Sequence, residues 1–206
     1  MDLIWVALYL CIFIASAAVF HNQVVKRIPY RYSSLSPGND RIRLLRLMPN
    51  KDETADIQCE LFEYSLQNSG KGPHLYEALS YVWGSPDNKL PILIHGNSFD
   101  VTVNLRAALS HLRDHSIERI LWVDAICIDQ ANKKEKGNQI QSMAKIYGHA
   151  NRVIVWLGEA EDDGDQALEV IRTIAEDGSP DISNNDRKAI LALLQRPWFE
   201  RIWVSE

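Results

Sequence analysis

Apolar residues along this chain follow two different periods, and the change between them divides the sequence. Ile42 to Leu47 and Ile57 to Tyr64 are β-prone runs separated by the turn-like cluster Pro49-Asn50-Lys51-Asp52, which predicts an antiparallel pair. Ala78 to Trp83 reads as a further strand. Ile92 to His95 and Ser98 to Val103, joined by Gly96-Asn97, read as a hairpin. From Asn104 the period lengthens: Leu105, Ala108, Leu109 and Leu112 form a helical stripe, with Asn104 in the N-cap position. Strands and helices alternate from there on. Strand Ile120 to Val123 precedes a helix whose apolar face is Ile140, Met143, Ala144 and Tyr147, closed by Gly148. Strand Arg152 to Leu157 precedes a helix striped by Ala167, Val170, Ile171 and Ile174 behind the acids Asp162, Asp163 and Asp165. Ser183 with Asp186 opens a last helix that Pro197 stops, and Arg201 to Val204 reads as a closing strand. The order predicts an α/β fold: a central, mostly parallel sheet with flanking helices, preceded by an N-terminal β-hairpin region.

Composition adds bounds to that picture. With 206 residues and 46% hydrophobic content, the chain is long enough for one main domain with a sizeable core. A formal net charge of -5 argues against a nucleic-acid binder, which needs a clustered basic face. Leu3 to Phe20 carries no charge and reads as an anchor or a signal peptide. Its length and the acid at Asp2 favour an uncleaved transmembrane anchor over residues 1–20. Residues 21–40, with Pro29, Ser33, Ser34, Ser36, Pro37 and Gly38, read as a linker, and 41–206 as the domain. Lys26, Arg27, Arg31, Arg41, Arg43 and Arg46 all follow the span, which places the domain on the cytosolic face of a membrane. A misassigned N-terminus leaves it cytoplasmic instead. Cys59 and Cys127 are the cysteines outside the apolar run, and neither C-x-x-C nor His-x-x-x-His occurs, so neither a disulfide framework nor a metal is assigned.

Chemistry enters at the ends of the apolar runs. Trp83, Trp122, Trp156 and Trp203 each sit near the end of such a run, with Gly or an acid following. In an open α/β sheet ligands gather outside the carboxyl ends of the strands, so one crevice is expected to collect these endings. Asp124 is placed to orient a substrate hydroxyl or act as a general base; the alternative is a turn-forming acid. Trp83 and Gly84 offer an indole to stack on a ring with close backbone approach, or a core tryptophan followed by a turn glycine. Asp129 and Gln130 bind substrate or cap the loop before the next helix. Trp122 and Trp156 are expected in the core. Glu135, within Lys133-Lys134-Glu135-Lys136, is expected on a solvated charged face. Cys127, between two isoleucines, reads as a small buried hydrophobe and not a nucleophile.

Three ordered segments carry a resemblance: Tyr76-Glu77-Ala78-Leu79-Ser80-Tyr81-Val82-Trp83-Gly84, the run from Leu121 to Gln130, and Val153-Ile154-Val155-Trp156-Leu157-Gly158. With Asn104-Leu105, Ala108-Leu109, Gln139, Met143, Ile146-Tyr147 and the run from Arg196 to Trp203, they resemble the fungal heterokaryon incompatibility (HET) domain over about residues 42–206. The resemblance implies nonself recognition and programmed cell death signalling, with other incompatibility proteins or self-association as partners. It also implies a distant likeness to the flavodoxin-like Toll/interleukin-1 receptor (TIR) domains, some of which cleave NAD. On that alternative NAD is a substrate and no cofactor is needed. Glu206 and Asp124 are then the catalytic carboxylates, and Trp83, Gly84, Asp129, Gln130 and Trp203 bind the substrate. This chain departs from the family where Trp203-Val204-Ser205-Glu206 replaces Trp-x-x-Gln-Glu, and where Asp129 and Lys136 replace Asn and Arg. Ending at Glu206, it reads as a domain truncated at its C-terminus, for which an inactive interaction module is a further alternative.

Overall fold

In the computed structural model, which describes residues 27–38, 40–67, 75–160, 164–177 and 182–200, both halves of the sequence contribute to one seven-stranded sheet. The strands are β1 (Arg41–Leu47), β2 (Gln58–Ser65), β3 (Glu77–Tyr81), β4 (Lys89–Ile94), β5 (Asn97–Thr102), β6 (Arg119–Trp122) and β7 (Arg152–Trp156). Their order across the sheet is β5-β4-β2-β1-β6-β3-β7. β6, β3 and β7 run parallel to one another. β1 is antiparallel to both of its neighbours, and β4–β5 is an antiparallel hairpin that joins β2 in parallel. The expected α/β class and the hairpin-rich N-terminal region therefore stand, on a mixed sheet.

Burial explains why β1 lies in the middle. Ile42, Leu44, Leu45 and Leu47 are all buried, so neighbouring positions on both faces of the strand are covered. Each such side chain contributes about 1.5–3 kcal/mol relative to an exposed one. Leu44 pairs with Phe62 and Leu45 with Leu121, which fixes the register on both sides.

The helices are α1 (Val103–Leu112), α2 (Asp124–Cys127), α3 (Lys133–Gln141), α4 (Met143–His149), α5 (Gly164–Asp177) and α6 (Asn184–Leu194). Several differ locally from the sequence pattern. α1 is capped by Thr102, whose hydroxyl accepts from the Leu105 N–H at 3.3 Å, because Asn104 spends its side chain elsewhere. The helix expected through Ile140 and Tyr147 is two helices, α3 and α4, meeting at Ser142. Its hydroxyl donates back to the Asn138 carbonyl at 3.1 Å, a bond that favours a bend. The turn of the β4–β5 hairpin is His95-Gly96, both at positive φ (49° and 76°), as a two-residue type I′ turn requires. α6 carries the expected capping box between Ser183 and Asp186. It packs with α5 around Ala167, Ala189 and Leu193, a small core apart from the main one.

Residues 28–32 run beside β5: the Tyr30 N–H donates to the Ser98 carbonyl at 2.8 Å, and the Tyr32 hydroxyl donates to the Ile126 carbonyl at 2.8 Å. The expected membrane anchoring is corrected. No helix among the described residues is long and apolar enough to cross a membrane. The longest helix among the described residues, α5, has 14 residues and is amphipathic, against about 20 apolar residues needed for a span. The 1–20 run to which the anchor was assigned lies outside the described residues, as do the expected strand Arg201 to Val204, Trp203 and Glu206.

Candidate functional site

Because β6, β3 and β7 are parallel, their carboxyl ends share one edge of the sheet. The register sets Ala78 beside Trp122 and Tyr81 beside Trp156. Beyond β3 the chain leaves the sheet at Val82, whose carbonyl is held by the Asn104 side-chain amide at 2.6 Å. The other end of that amide accepts from Trp156 Nε1 at 2.9 Å. Gly84, at φ 76°, then turns the chain away in a conformation that disfavours other residues. Beyond β6, α2 begins at Asp124. The two exits meet there: Trp83 Nε1 donates to Asp124 Oδ2 at 3.0 Å, while Asp124 Oδ1 accepts the Ala125 N–H at 2.7 Å. Gln130 Nε2 donates to the Asp124 backbone carbonyl at 2.9 Å, closing the loop around α2.

A buried ion pair supports this loop from behind. Arg43 on β1 and Glu135 on α3 have side chains only 4% and 10% exposed, with Nη2 3.0 Å from Oε2. Arg43 also donates to the Ser33 carbonyl at 2.7 Å and the Cys127 carbonyl at 3.2 Å, and lies over the Tyr32 ring. Glu135 Oε1 in turn accepts the Asp129 N–H at 2.9 Å. Glu135 therefore does not belong to a solvated face. On α3 it shares the inward face with Gln139, four residues on, whose amide donates to the Arg41 carbonyl at 2.8 Å; Lys133 and Lys134 point outward.

A cavity of about 990 Å³ opens at these strand ends. Its walls are mostly apolar and aromatic, including Trp83, Ile128, Met143, Tyr147 and Trp198, and its polar groups come from Ser80, Asp124, Gln130 and Lys136. Of the residues expected at a site, Asp124, Trp83 and Gln130 line it together. Gly84 lines a separate cleft of about 490 Å³ with Asn104, Gly158 and Arg196. Asp129 is not in the lining, and its carboxylate accepts the Ala131 N–H at 3.1 Å, as a turn former does. Trp122 is fully buried, as expected. Sequence reasoning did not assign Ser80, Lys136, Tyr147 or Trp198 to a site. Pro197 ends the helical run just before Trp198, which was the available signal that this indole turns back to the sheet; its Nε1 donates to Ser80 Oγ at 3.0 Å.

The segments building this edge lie within residues 76–206, which match the family described as heterokaryon incompatibility protein (HET). The chain belongs to that family. It is also 32% identical over 161 residues to heterokaryon incompatibility protein 6, OR allele, of Neurospora crassa, covering 72% of this chain and 23% of that protein. This HET chain thus spans about a quarter of the length of the curated relative it matches. No solved structure matches it, and the expected likeness to TIR domains is not shown.

Within the HET domain Cys127 is chemically quiet. Its burial pushes the thiol up to about 12, the Val123 N–H bond and Arg43 opposing this and Asp124 adding to it. Iodoacetamide at pH 8 is expected to leave Cys127 unmodified in the folded protein and to label it in urea. Mass spectrometry showing full labelling without denaturant contradicts this. Among the described residues no three His, Cys, Asp or Glu side chains converge to hold a metal.

Proposed function

We propose that this chain is a signalling module of fungal nonself recognition whose action leads to programmed cell death, working with other incompatibility proteins or by self-association. Family membership supports the class of function. The observation that carries the reading to particular residues is the Trp83–Asp124 hydrogen bond. It ties two of the family's motif segments together at the mouth of one cavity.

Inducible expression of the chain in Neurospora crassa is expected to arrest growth and kill hyphal compartments. Trp83→Ala and Asp124→Ala at equal protein level are expected to restore growth. Normal growth with the unaltered chain well expressed rejects the proposal; toxicity that both substitutions leave intact rejects the site. For NAD cleavage, the expected carboxylate Glu206 lies outside the described residues, and among the described residues the cation of the cavity lining is Lys136.

A further inference from the structure

We infer that residues 27–36 form a strap whose docking holds the loop Asp124–Gln130 in place, so that lifting the strap loosens the mouth of the cavity from a distance. The coupling is a property of the fold and does not depend on the incompatibility role.

The strap is bonded to the loop by two routes. Directly, the Tyr32 hydroxyl donates to the Ile126 carbonyl. Indirectly, the Ser33 carbonyl accepts from Arg43 Nη2, while Arg43 Nη1 donates to the Cys127 carbonyl. Glu135, the ion-pair partner of Arg43, holds the Asp129 N–H. Ile126, Cys127 and Asp129 are therefore all tied to the strap, and the two ends of the same loop, Asp124 and Gln130, line the cavity.

Burial of the ion pair also depends on the strap. The Tyr32 ring lies over the Arg43 guanidinium, with its centroid 4.9 Å from the central carbon. Lifting the strap takes the donor from the Ile126 carbonyl, and takes an acceptor and the aromatic cover from Arg43. Water then reaches the pair that fixes Asp129, and a bond that was strong in a dry setting is weakened.

The strap is held less firmly than the sheet it lies on. Among the described residues its backbone meets the sheet at Ser98 of the outermost strand, β5, which donates to the Ile28 carbonyl at 2.9 Å and accepts from the Tyr30 N–H. Its ends rest on exposed contacts: Arg27 with Asp56, and the Ser36 N–H with Glu63 Oε2 at 2.8 Å. Between them Tyr30 stands edge-on to Tyr32 and Phe99, with centroids 5.3 and 6.2 Å away. β1, by contrast, pairs with β2 from end to end. A segment with few backbone bonds on a sheet edge opens at lower cost than the centre, and the bonds to Ile126 and Arg43 make the loop open with it.

Native-state hydrogen exchange on the full chain tests this, with the Ser98 amide reporting the strap, the Asp129 amide the loop and the β1 amides the sheet. In the unaltered protein Ser98 and Asp129 are expected to open together, with one dependence on urea, and more readily than β1. Tyr30→Ala strips ring contacts on the β5 side and is expected to speed exchange at both Ser98 and Asp129 at least about tenfold, leaving β1 within about twofold. Tyr32→Phe keeps the ring and deletes the bond to Ile126, for which a gain of roughly threefold or more at both amides is expected. The Trp83 indole N–H, identified by its loss in Trp83→Phe, is expected to exchange faster in both strap variants, which carries the effect to the contact with Asp124. Faster exchange at Ser98 with Asp129 unchanged means a strap that packs without holding the loop and overturns the inference. So does equal acceleration at β1, since the strap is then part of the general stability, or exchange at Ser98 that neither substitution changes. If neither variant folds, the unaltered protein decides alone: separate openings at Ser98 and Asp129 overturn the inference.

Discussion

Arg43→Ala is expected to destabilise the domain by about 3–5 kcal/mol, the usual result of removing one partner from a buried ion pair. Glu135, 10% exposed at its side chain, is left without its cation, and the Ser33 and Cys127 carbonyls lose their donors. The loss reaches the site, because Glu135 also holds the Asp129 N–H and so the loop that carries Gln130 against Asp124. Faster hydrogen exchange at Asp129 should accompany the drop in stability. The double substitution Arg43→Met, Glu135→Leu is expected to cost much less than the sum of the single ones, since the buried charges leave together and two apolar side chains fill their place. Urea unfolding of the two single variants and the double variant measures this coupling. A loss below about 1 kcal/mol for Arg43→Ala would show that solvent reaches the pair. Arg172→Ala is the control: its bridge to Glu169 is exposed on α5, and no measurable change is expected.

That pair also marks where the sequence was legible and where it was not. Periodicity located the strands because each has a face or two faces to bury, and the alternation from Asn104 onward gave the parallel β6 and β7; that β3, from before Asn104, lies between them and so forms the edge on which Trp83 and Asp124 meet was not in that pattern. The ion pair was hidden. Arg43 sits in a run of alternating apolar and basic residues and Glu135 among three lysines, and both patterns suit a solvated surface. What buries them is a contact between β1 and α3 that spans 92 positions and that no local window contains. Asn104 shows the same limit at short range. Its residue type suits an N-cap, and Thr102 two positions earlier suits one equally well; the choice is made by Val82 and Trp156, which need both ends of the Asn104 amide. For the cavity, aromatic content was visible but partners were not. Trp198 was read as part of a motif, whereas its bond to Ser80 depends on α6 ending beside β3.

Trp122→Ala is expected to cost about 3–5 kcal/mol, and Trp122→Phe less than about half of that. The indole is fully buried in β6, and its ring stands edge-on to Tyr147 with centroids 5.4 Å apart and planes at 77°. Truncation to alanine removes the transferred area, that edge contact and the volume at once, and the neighbours on either side, β1 antiparallel and β3 parallel, restrain the strand from collapsing into the gap. Phenylalanine keeps most of the ring and the edge contact. It also deletes a polar atom that gains nothing in place, because Trp122 Nε1 is buried with no hydrogen-bond partner among the described residues. Such a donor costs about 1–3 kcal/mol, which offsets part of the lost packing. The two variants also differ at the site. Tyr147 lines the cavity and Asp124 lies two residues beyond Trp122, so alanine is expected to loosen the Trp83–Asp124 contact while phenylalanine preserves it. Urea denaturation gives the stabilities, and near-ultraviolet circular dichroism reports the packing of the remaining tryptophans. If phenylalanine proves as damaging as alanine, the indole N–H is satisfied in the folded protein, and the argument from its missing partner fails.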